Sequence, residues 1–488
     1  MELNRLMTED RSASLAVTRH RLFVPGLLAV LIAAAVAHGL LWSVVTPPLS
    51  GPDENAHAAY AQYLAETGSR PSDTTGGLST ELAQFAWGIA ASPIVGHPEG
   101  LIDWQAGPLV RSELARLPAS AAKDGAGANA AASYPPLYYA LTAVAYHLVP
   151  GDSIGVKLLA IRFVGVLLFA ATVVLTWLLA GIVLAGLWPR FVATALVAFQ
   201  PKLGFMAGVV NPDNLLITLS SAFLLASALL ICRGFSWWRL AAVVATTAAA
   251  AYTHPRGLFL ILPLLFVLWF VAWRETAARG QPLLRKLAVA GGALLAAASL
   301  AVVLSLITRW GNAGPVDDLK EFAVYIWQFY LPRLDFMQPF GPDYGYRQVF
   351  IETYFSTFGQ IDVRPSLRFT EFVQAGAMVG LVALYTAAVA RWRIVAASWP
   401  VVVLLGGTFV ALLTLLHLVG YRDLQAGGDP IITGRYLLSC VAIYGLAAAW
   451  VLSSIPRRVG PFIAAPLLMI SAMMSIGGIG VTALRFYG

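Results

Sequence analysis

Pro47-Pro48-Leu49-Ser50-Gly51-Pro52-Asp53-Glu54-Asn55-Ala56-His57-Ala58-Ala59-Tyr60 follows directly on a long apolar run, residues 22–45. Three prolines and a glycine stop a helix at this point. Two adjacent carboxylates, Asp53 and Glu54, then stand at the mouth of that helix, with His57 and Tyr60 behind them. Two readings fit the pair. Asp53 caps an amphipathic helix over residues 54–66, or one acid serves as a general base facing the membrane surface.

Working outward, only 12% of the 488 residues are charged, 58% are hydrophobic, and the mean hydropathy is +0.73. Soluble domains carry roughly 25% charged residues. Repeated apolar runs of about 20 residues predict a polytopic helical membrane protein. The net charge of +7 is not a nucleic-acid signal, because most basic residues sit in short loops between apolar runs. There they set orientation. The run 22–45 is too long for a signal-peptide core and lacks a small-residue cleavage site, so it reads as a retained first helix. Cys232 and Cys440 fall near opposite faces, which argues against a disulfide.

The predicted fold is an all-α polytopic membrane protein with about eleven transmembrane helices. A large first extracytoplasmic loop carries interfacial helices. Residues 1–21 form a cytoplasmic tail, and 22–488 form one transmembrane domain that includes extracytoplasmic loops 46–156 and 311–370. The expected spans are 22–45, 157–184, 190–210, 214–232, 239–253, 257–273, 287–309, 371–390, 396–419, 436–454 and 461–482. The apolar run 137–149 is short for a crossing and is placed in the interface. The inward loops then hold Arg190, Arg233, Arg239, Arg274, Arg279, Arg285, Lys286, Arg391, Arg393, Arg457 and Arg458, as the positive-inside rule requires. Within the first loop, 54–66 and 80–89 read as amphipathic, and the Gly/Ala-rich 124–132 as flexible. Residues 317–331 read as a surface helix, and 421–433 as a short loop.

The same reading gathers the unusual polar groups at the outer face. Asn211 and Asp213 open a helix, where Asp213 reads as a cap or as a second acid that orients an acceptor or holds a metal. Arg162 and Lys202 lie inside spans, where charges face a cavity or a partner. His254, Arg256 and Arg435 sit at outer helix ends, suited to headgroups or to a lipid-linked phosphate. Tyr134 and Tyr138, beside Pro135-Pro136, read as an aromatic anchor or as the lining of a sugar site. His38, His147 and His417 are isolated and read as packed or hydrogen-bonded histidines rather than ligands. No metal-ligand cluster, Walker loop, Rossmann fingerprint or Ser-His-Asp signature stands out.

Taken together, the acidic pair after helix one, Pro135-Pro136-Leu137-Tyr138-Tyr139, the arginine opening the next span and Asn211-Pro212-Asp213 resemble the GT-C superfamily of integral-membrane glycosyltransferases. The layout is similar to that of protein O-mannosyltransferases and lipid A aminoarabinose transferases. Pro52-Asp53-Glu54 with His57, Thr357-Phe358-Gly359 and Gly434-Arg435-Tyr436 resemble a branch of predicted bacterial membrane proteins.

The resemblance implies a bacterial plasma-membrane enzyme with its N-terminus in the cytoplasm and its active site outside. The implied donor is a sugar on polyprenyl phosphate, and the acceptor an extracytoplasmic glycan, lipid or protein. Membrane lipids are further partners; nucleic acid is not. Asp53 is then the general base, with Glu54 supporting it or binding acceptor, and Asp213 is the second acid. Lys202, Arg256 and Arg435 become phosphate contacts. His57, Tyr60, Tyr134, Tyr138, Arg162, Asn211, His254 and Tyr436 complete the expected substrate-binding set. No cofactor is required, although some relatives hold a divalent metal at this face. The competing readings are a transporter or flippase of lipid-linked glycans and a non-catalytic envelope assembly partner.

Overall fold

The structure is a computed structural model. It describes residues 2–90, 100–103, 105–151, 153–278, 280–310, 314–338, 346–360, 363–364, 366–428, 433–456 and 458–488. Side chains are described from Val24 onward, apart from Ala278, Pro282, Arg285, Trp310 and Tyr346. Arg279 and Arg457 of the expected inward loops lie outside these residues.

Helix α1 (Glu2–Val45) runs into the Pro47-Pro48 break. The first long loop then folds as α2 (Glu54–Thr67), α3 (Thr80–Gly88), α4 (Gly107–Leu114), a 3-10 turn at Ala119–Ala122, and α5 (Leu137–Leu148). There follow α6 (Ile154–Val183), α7 (Leu187–Ala198), α8 (Pro201–Ala207), α9 (Asp213–Arg233), α10 (Trp237–Ala251) and α11 (Ile261–Ala278). The remainder comprises α12 (Pro282–Trp310), α13 (Pro315–Tyr330), α14 (Tyr346–Phe355), α15 (Leu367–Ala390), α16 (Trp392–Ala397), α17 (Trp399–Gln425), α18 (Val441–Ser453) and α19 (Gly460–Tyr487). The 3-10 turns Pro255–Leu260 and Gly434–Cys440 lead into α11 and α18. Among the described residues there are no strands, only isolated bridges.

Nine helices among the described residues are long and apolar enough to cross a membrane. They account for nine of the eleven expected spans. The apolar window in Lys286–Arg309 has no buried residue and that in Leu367–Ala390 only 11%. Helices this apolar with so little packing need a hydrocarbon surround.

The other two expected spans differ. Residues 190–210 do not form one helix: Gln200-Pro201 ends α7 and starts α8. Proline cannot donate to the preceding turn. The Gln200 side chain accepts the Leu203 N–H at 2.5 Å and gives α8 a new N-terminus. Residues 239–253 fold as α10, only 15 residues long.

The loop segments behave largely as their patterns predict. α2, α3, α13 and the short α5 lie within a few residues of the expected stretches. Two expectations fail. Residues 124–132 are tied down: Thr75 and Gly76 bridge to Ala126 and Ala128, and the Asn129 amide donates to the Gly76 carbonyl at 2.6 Å and the Ala56 carbonyl at 3.0 Å. Small residues are used here for close backbone approach, since a Cβ on Gly125 would lie 2.3 Å from the Gly77 carbonyl oxygen. In addition, residues 421–425 continue α17 rather than forming a loop. Cys232 and Cys440 are both free.

Candidate active site

The backbone from Pro47 to Asp53 turns twice in tight succession, with Ser50 N–H donating to the Pro47 carbonyl and Glu54 N–H to the Gly51 carbonyl. Leu49 and Asp53 both take positive φ, 63° and 57°. For non-glycine residues this conformation costs about 1–2 kcal/mol, with aspartate among those that tolerate it best. The side chain of left-handed Asp53 makes no capping hydrogen bond to α2. An N-cap normally has extended backbone, so the capping reading of Asp53 fails. Its carboxylate is 64% exposed and accepts from Arg435 Nη2 at 2.8 Å.

Glu54 points the opposite way, into the protein. Its carboxylate receives Arg162 Nε (2.8 Å) and Nη2 (2.7 Å), the Gly51 N–H (2.9 Å) and the Val210 N–H (2.9 Å). Arg162 spends its remaining donors on the carbonyls of Ser43, Thr46 and Pro47, at 2.7–2.8 Å. These carbonyls lie at the C-terminal end of α1, where a cation is favourable. Both side chains are 1% exposed or less. Thus Arg162 and Glu54 bolt α1, α2 and α6 together, and both are enclosed. Arg162, expected among the substrate-binding residues, spends its guanidinium on Glu54 and on backbone carbonyls.

Asp213 lies at the first turn of α9, buried, with its carboxylate on Arg256 Nη2. It does not cap its own helix. His254 accepts the Arg256 N–H at Nδ1 (2.9 Å), and its Nε2 lies 3.8 Å from Asp213 Oδ1. The Arg256 guanidinium carbon sits 3.8 Å from the centre of the Tyr436 ring, and that of Arg435 sits 5.3 Å from it. Tyr134 closes the group edge-on to His254 (4.7 Å) and to His57 (5.4 Å). Burial dominates the titration of both His57 and Tyr134. It lowers His57 to about 4, against the pull of Asp53, and pushes Tyr134 up to about 12. His57 is therefore neutral at pH 7, and its Nδ1 lies 2.8 Å from the Tyr139 hydroxyl.

One cluster therefore holds Asp53, His57, Tyr134, Asp213, His254, Arg256, Arg435 and Tyr436. It carries two buried guanidinium nitrogens without a hydrogen-bond partner, Arg256 Nη1 and Arg435 Nε. An unpaired buried donor is costly unless a ligand takes it. Asn211 steadies the cluster by donating its side-chain amide to the Pro52 carbonyl (3.1 Å) and its N–H to the Tyr138 hydroxyl (3.1 Å). Tyr138 and Tyr60 are fully buried behind it. Tyr60 stacks on Tyr139 with centroids 3.6 Å apart, so both support the wall rather than line it. Lys202 is buried as well. Its Nζ donates to the Thr357 carbonyl at 2.5 Å and lies over the Phe205 ring at 4.5 Å.

The residues do not fit a divalent metal. Among the described residues no group of three or more His, Cys, Asp or Glu could hold one. Asp53 and Asp213 each already face an arginine.

Arg435 is positioned by its neighbour. The Gly434 N–H donates to Thr353 Oγ1 at 2.7 Å, and a Cβ at 434 would lie 1.8 Å from the Phe350 carbonyl oxygen. Gly434→Ala is therefore expected to push the 3-10 turn off α14. A stability loss on the order of 1–3 kcal/mol follows from overpacking. Thermal unfolding in detergent, with wild-type stability as the contrary result, checks this.

A sequence profile described as predicted membrane protein, DUF2142, matches residues 37–444. The chain belongs to the DUF2142 family. The matched segment of this DUF2142 protein contains the whole cluster from Asp53 to Tyr436. Comparison with curated proteins returns no match. Among solved structures, the DUF2142 chain is similar to the Archaeoglobus fulgidus oligosaccharyltransferase in its apo form, at 13% identity and a TM-score of 0.48. The likeness covers 95% of this chain and 56% of that one, so the chain spans little more than half the oligosaccharyltransferase's length. It is also similar to ArnT from Cupriavidus metallidurans in the apo state, at 14% identity and a TM-score of 0.45, over 94% of this chain and 77% of that one. ArnT bound to undecaprenyl phosphate gives 14% identity and a TM-score of 0.41, with 94% and 74% covered.

Sequence reasoning overlooked several residues that shape the DUF2142 site. Arg70 donates to both the Tyr60 hydroxyl and the Tyr134 carbonyl at 3.2 Å. The Gln360 amide donates to the carbonyl of strained Leu49 at 3.2 Å, and the Gln200 amide to the Tyr354 carbonyl at 2.7 Å. Only the clustering of polar residues within apolar surroundings at Gln200 and Gln360 hinted at these contacts.

Proposed function

We propose that this protein is a membrane glycosyltransferase of the GT-C kind that uses a polyprenyl-phosphate-linked sugar. The observation that carries the reading is the pairing of Arg256 and Arg435, with two unpartnered buried N–H donors, beside the exposed carboxylate of Asp53. Two guanidiniums suit a phosphate, which they bind through planar forks. An adjacent carboxylate suits an acceptor hydroxyl.

The step is a single displacement. Asp53 takes the proton of the acceptor hydroxyl as that oxygen bonds to the anomeric carbon. The bond from the anomeric carbon to the phosphate oxygen breaks, and its electron pair leaves with the lipid phosphate. Arg256 and Arg435 stabilise the charge that grows there. Inversion at the anomeric carbon follows. Asp213 positions Arg256, and Glu54 with Arg162 positions Asp53. His57, Tyr134, His254 and Tyr436 wall the site; Lys202 adds positive charge behind it.

The test is transfer of label from a panel of radiolabelled polyprenyl-phosphate sugars to membranes by purified protein. Arg256→Ala is expected to weaken donor affinity by about 1.5–3 kcal/mol, the value of a charge-assisted contact. No transfer from any sugar, or unchanged donor affinity in the variant, would sink the reading.

We further place the site on the outer side of the bacterial plasma membrane, with the N-terminus inside. Arg190, Arg233, Arg239, Arg274, Arg391 and Arg393 support this: with α7–α8 and α10 counted as crossings, all six fall at the helix ends of one side. With Cys232 replaced, a cysteine at exposed Ser72 is expected to react with an impermeant reagent in whole cells, and one at exposed Ala277 to stay protected. The reverse pattern would invert the orientation.

A further inference from the structure

Resting on that reading, we propose that Arg435 is a shared cation. It pairs with Asp53 in the structure and passes to an arriving phosphate, and only this transfer frees Asp53 to accept a proton.

The two arginines of the cluster are anchored differently. Arg256 is held by Asp213, whose side chain is 5% exposed, with His254 alongside. That pair is enclosed and remains when a ligand enters. Arg435 is held by Asp53, whose side chain is 64% exposed and whose backbone is left-handed. Water competes for an exposed carboxylate, so this contact opens with little loss. The Arg435 side chain itself is only 14% exposed, and its Nε has no partner. It therefore stays where it is while the acid moves. A phosphate meeting Arg256 Nη1 and Arg435 Nε lies against the same guanidinium that Asp53 occupies, so the two anions compete for it. The consequence is an order of events: deprotonation of the acceptor waits for the donor.

The probe is undecaprenyl phosphate, with uncharged undecaprenol as control, titrated against the full-length protein in nanodiscs. Asp53→Asn removes the internal competitor. It is expected to tighten undecaprenyl phosphate binding on the order of tenfold and to leave undecaprenol unchanged. Asparagine suits left-handed backbone, so the variant keeps the local fold. Asp53→Glu restores a carboxylate and is expected to lose most of the gain. In an Arg435→Gln background the gain from Asp53→Asn is expected to vanish. Equal or weaker binding by Asp53→Asn would overturn the shared cation while leaving the phosphate site intact. The same gain with and without Arg435 would also overturn it, since general charge repulsion then suffices. Wild-type protein that prefers undecaprenyl phosphate no more than undecaprenol would remove the lipid-phosphate reading and this inference with it.

Discussion

Asp53→Asn is expected to leave the protein folded and to cut turnover at saturating donor by about 10²-fold or more, the usual contribution of a positioned general base. Asparagine keeps the size of the side chain and accepts the left-handed backbone that Asp53 adopts. What is lost is basicity, together with the charge that pairs with Arg435. The measurement is transfer of labelled sugar beside thermal stability in detergent. Near-normal transfer by a folded variant would remove Asp53 as the base. The structure gives Asp53 no capping bond to lose, so a fall in activity cannot be traced to an unravelled α2.

The second large effect concerns the buried pair. Glu54→Gln leaves the Arg162 guanidinium charged, enclosed and without its counter-ion. Arg162→Ala leaves a buried carboxylate and strips three carbonyls at the end of α1 of their donor. Removing one partner of such a pair costs about 3–5 kcal/mol. Both variants are expected to accumulate poorly and to unfold at lower denaturant concentration than wild type. Arg162→Lys keeps the charge but loses the fork, and is expected to fall between. A Glu54→Gln protein of wild-type stability that fails only in transfer would show instead that Glu54 acts in the chemistry. Glu54 and Asp53 thus separate by assay: one variant reads out in folding, the other in turnover.

Much of this architecture is legible in the sequence because hydropathy and helix breakers are local. Pro47-Pro48 ends α1, and the periodicity over 54–66 and 317–331 predicts α2 and α13. His38 and His417 are packed and hydrogen-bonded as expected, His38 between the Trp42 indole and the Ala198 carbonyl and His417 between the Tyr325 and Tyr330 hydroxyls, whereas His147 is exposed with its Nε2 3.1 Å from the Ala65 carbonyl oxygen. What the sequence hides is direction. Asp53 and Glu54 are neighbours with the same chemistry. The left-handed turn at Asp53 sends one carboxylate to solvent and Arg435, the other into the core. No local pattern distinguishes them, because the partners lie 382 and 108 residues away. The break at Gln200-Pro201 was masked for a different reason: apolar residues continue on both sides, and hydropathy averages across it. The order of 124–132 was missed because small residues, which elsewhere mean mobility, here allow backbones to touch.

The separation of Glu54 from Arg162 also sets a timetable for synthesis. Their 108-residue interval takes roughly 5–20 s to translate at 5–20 residues per second. Throughout that interval the nascent chain holds an acid whose counter-ion does not yet exist, and an unpaired carboxylate cannot be enclosed cheaply. The segment after α1 must therefore wait in water, open, until α6 emerges and delivers its guanidinium. Closure of the turn that presents Asp53 thus waits for α6, and any chain stalled before residue 162 carries the acid without the geometry that aims it.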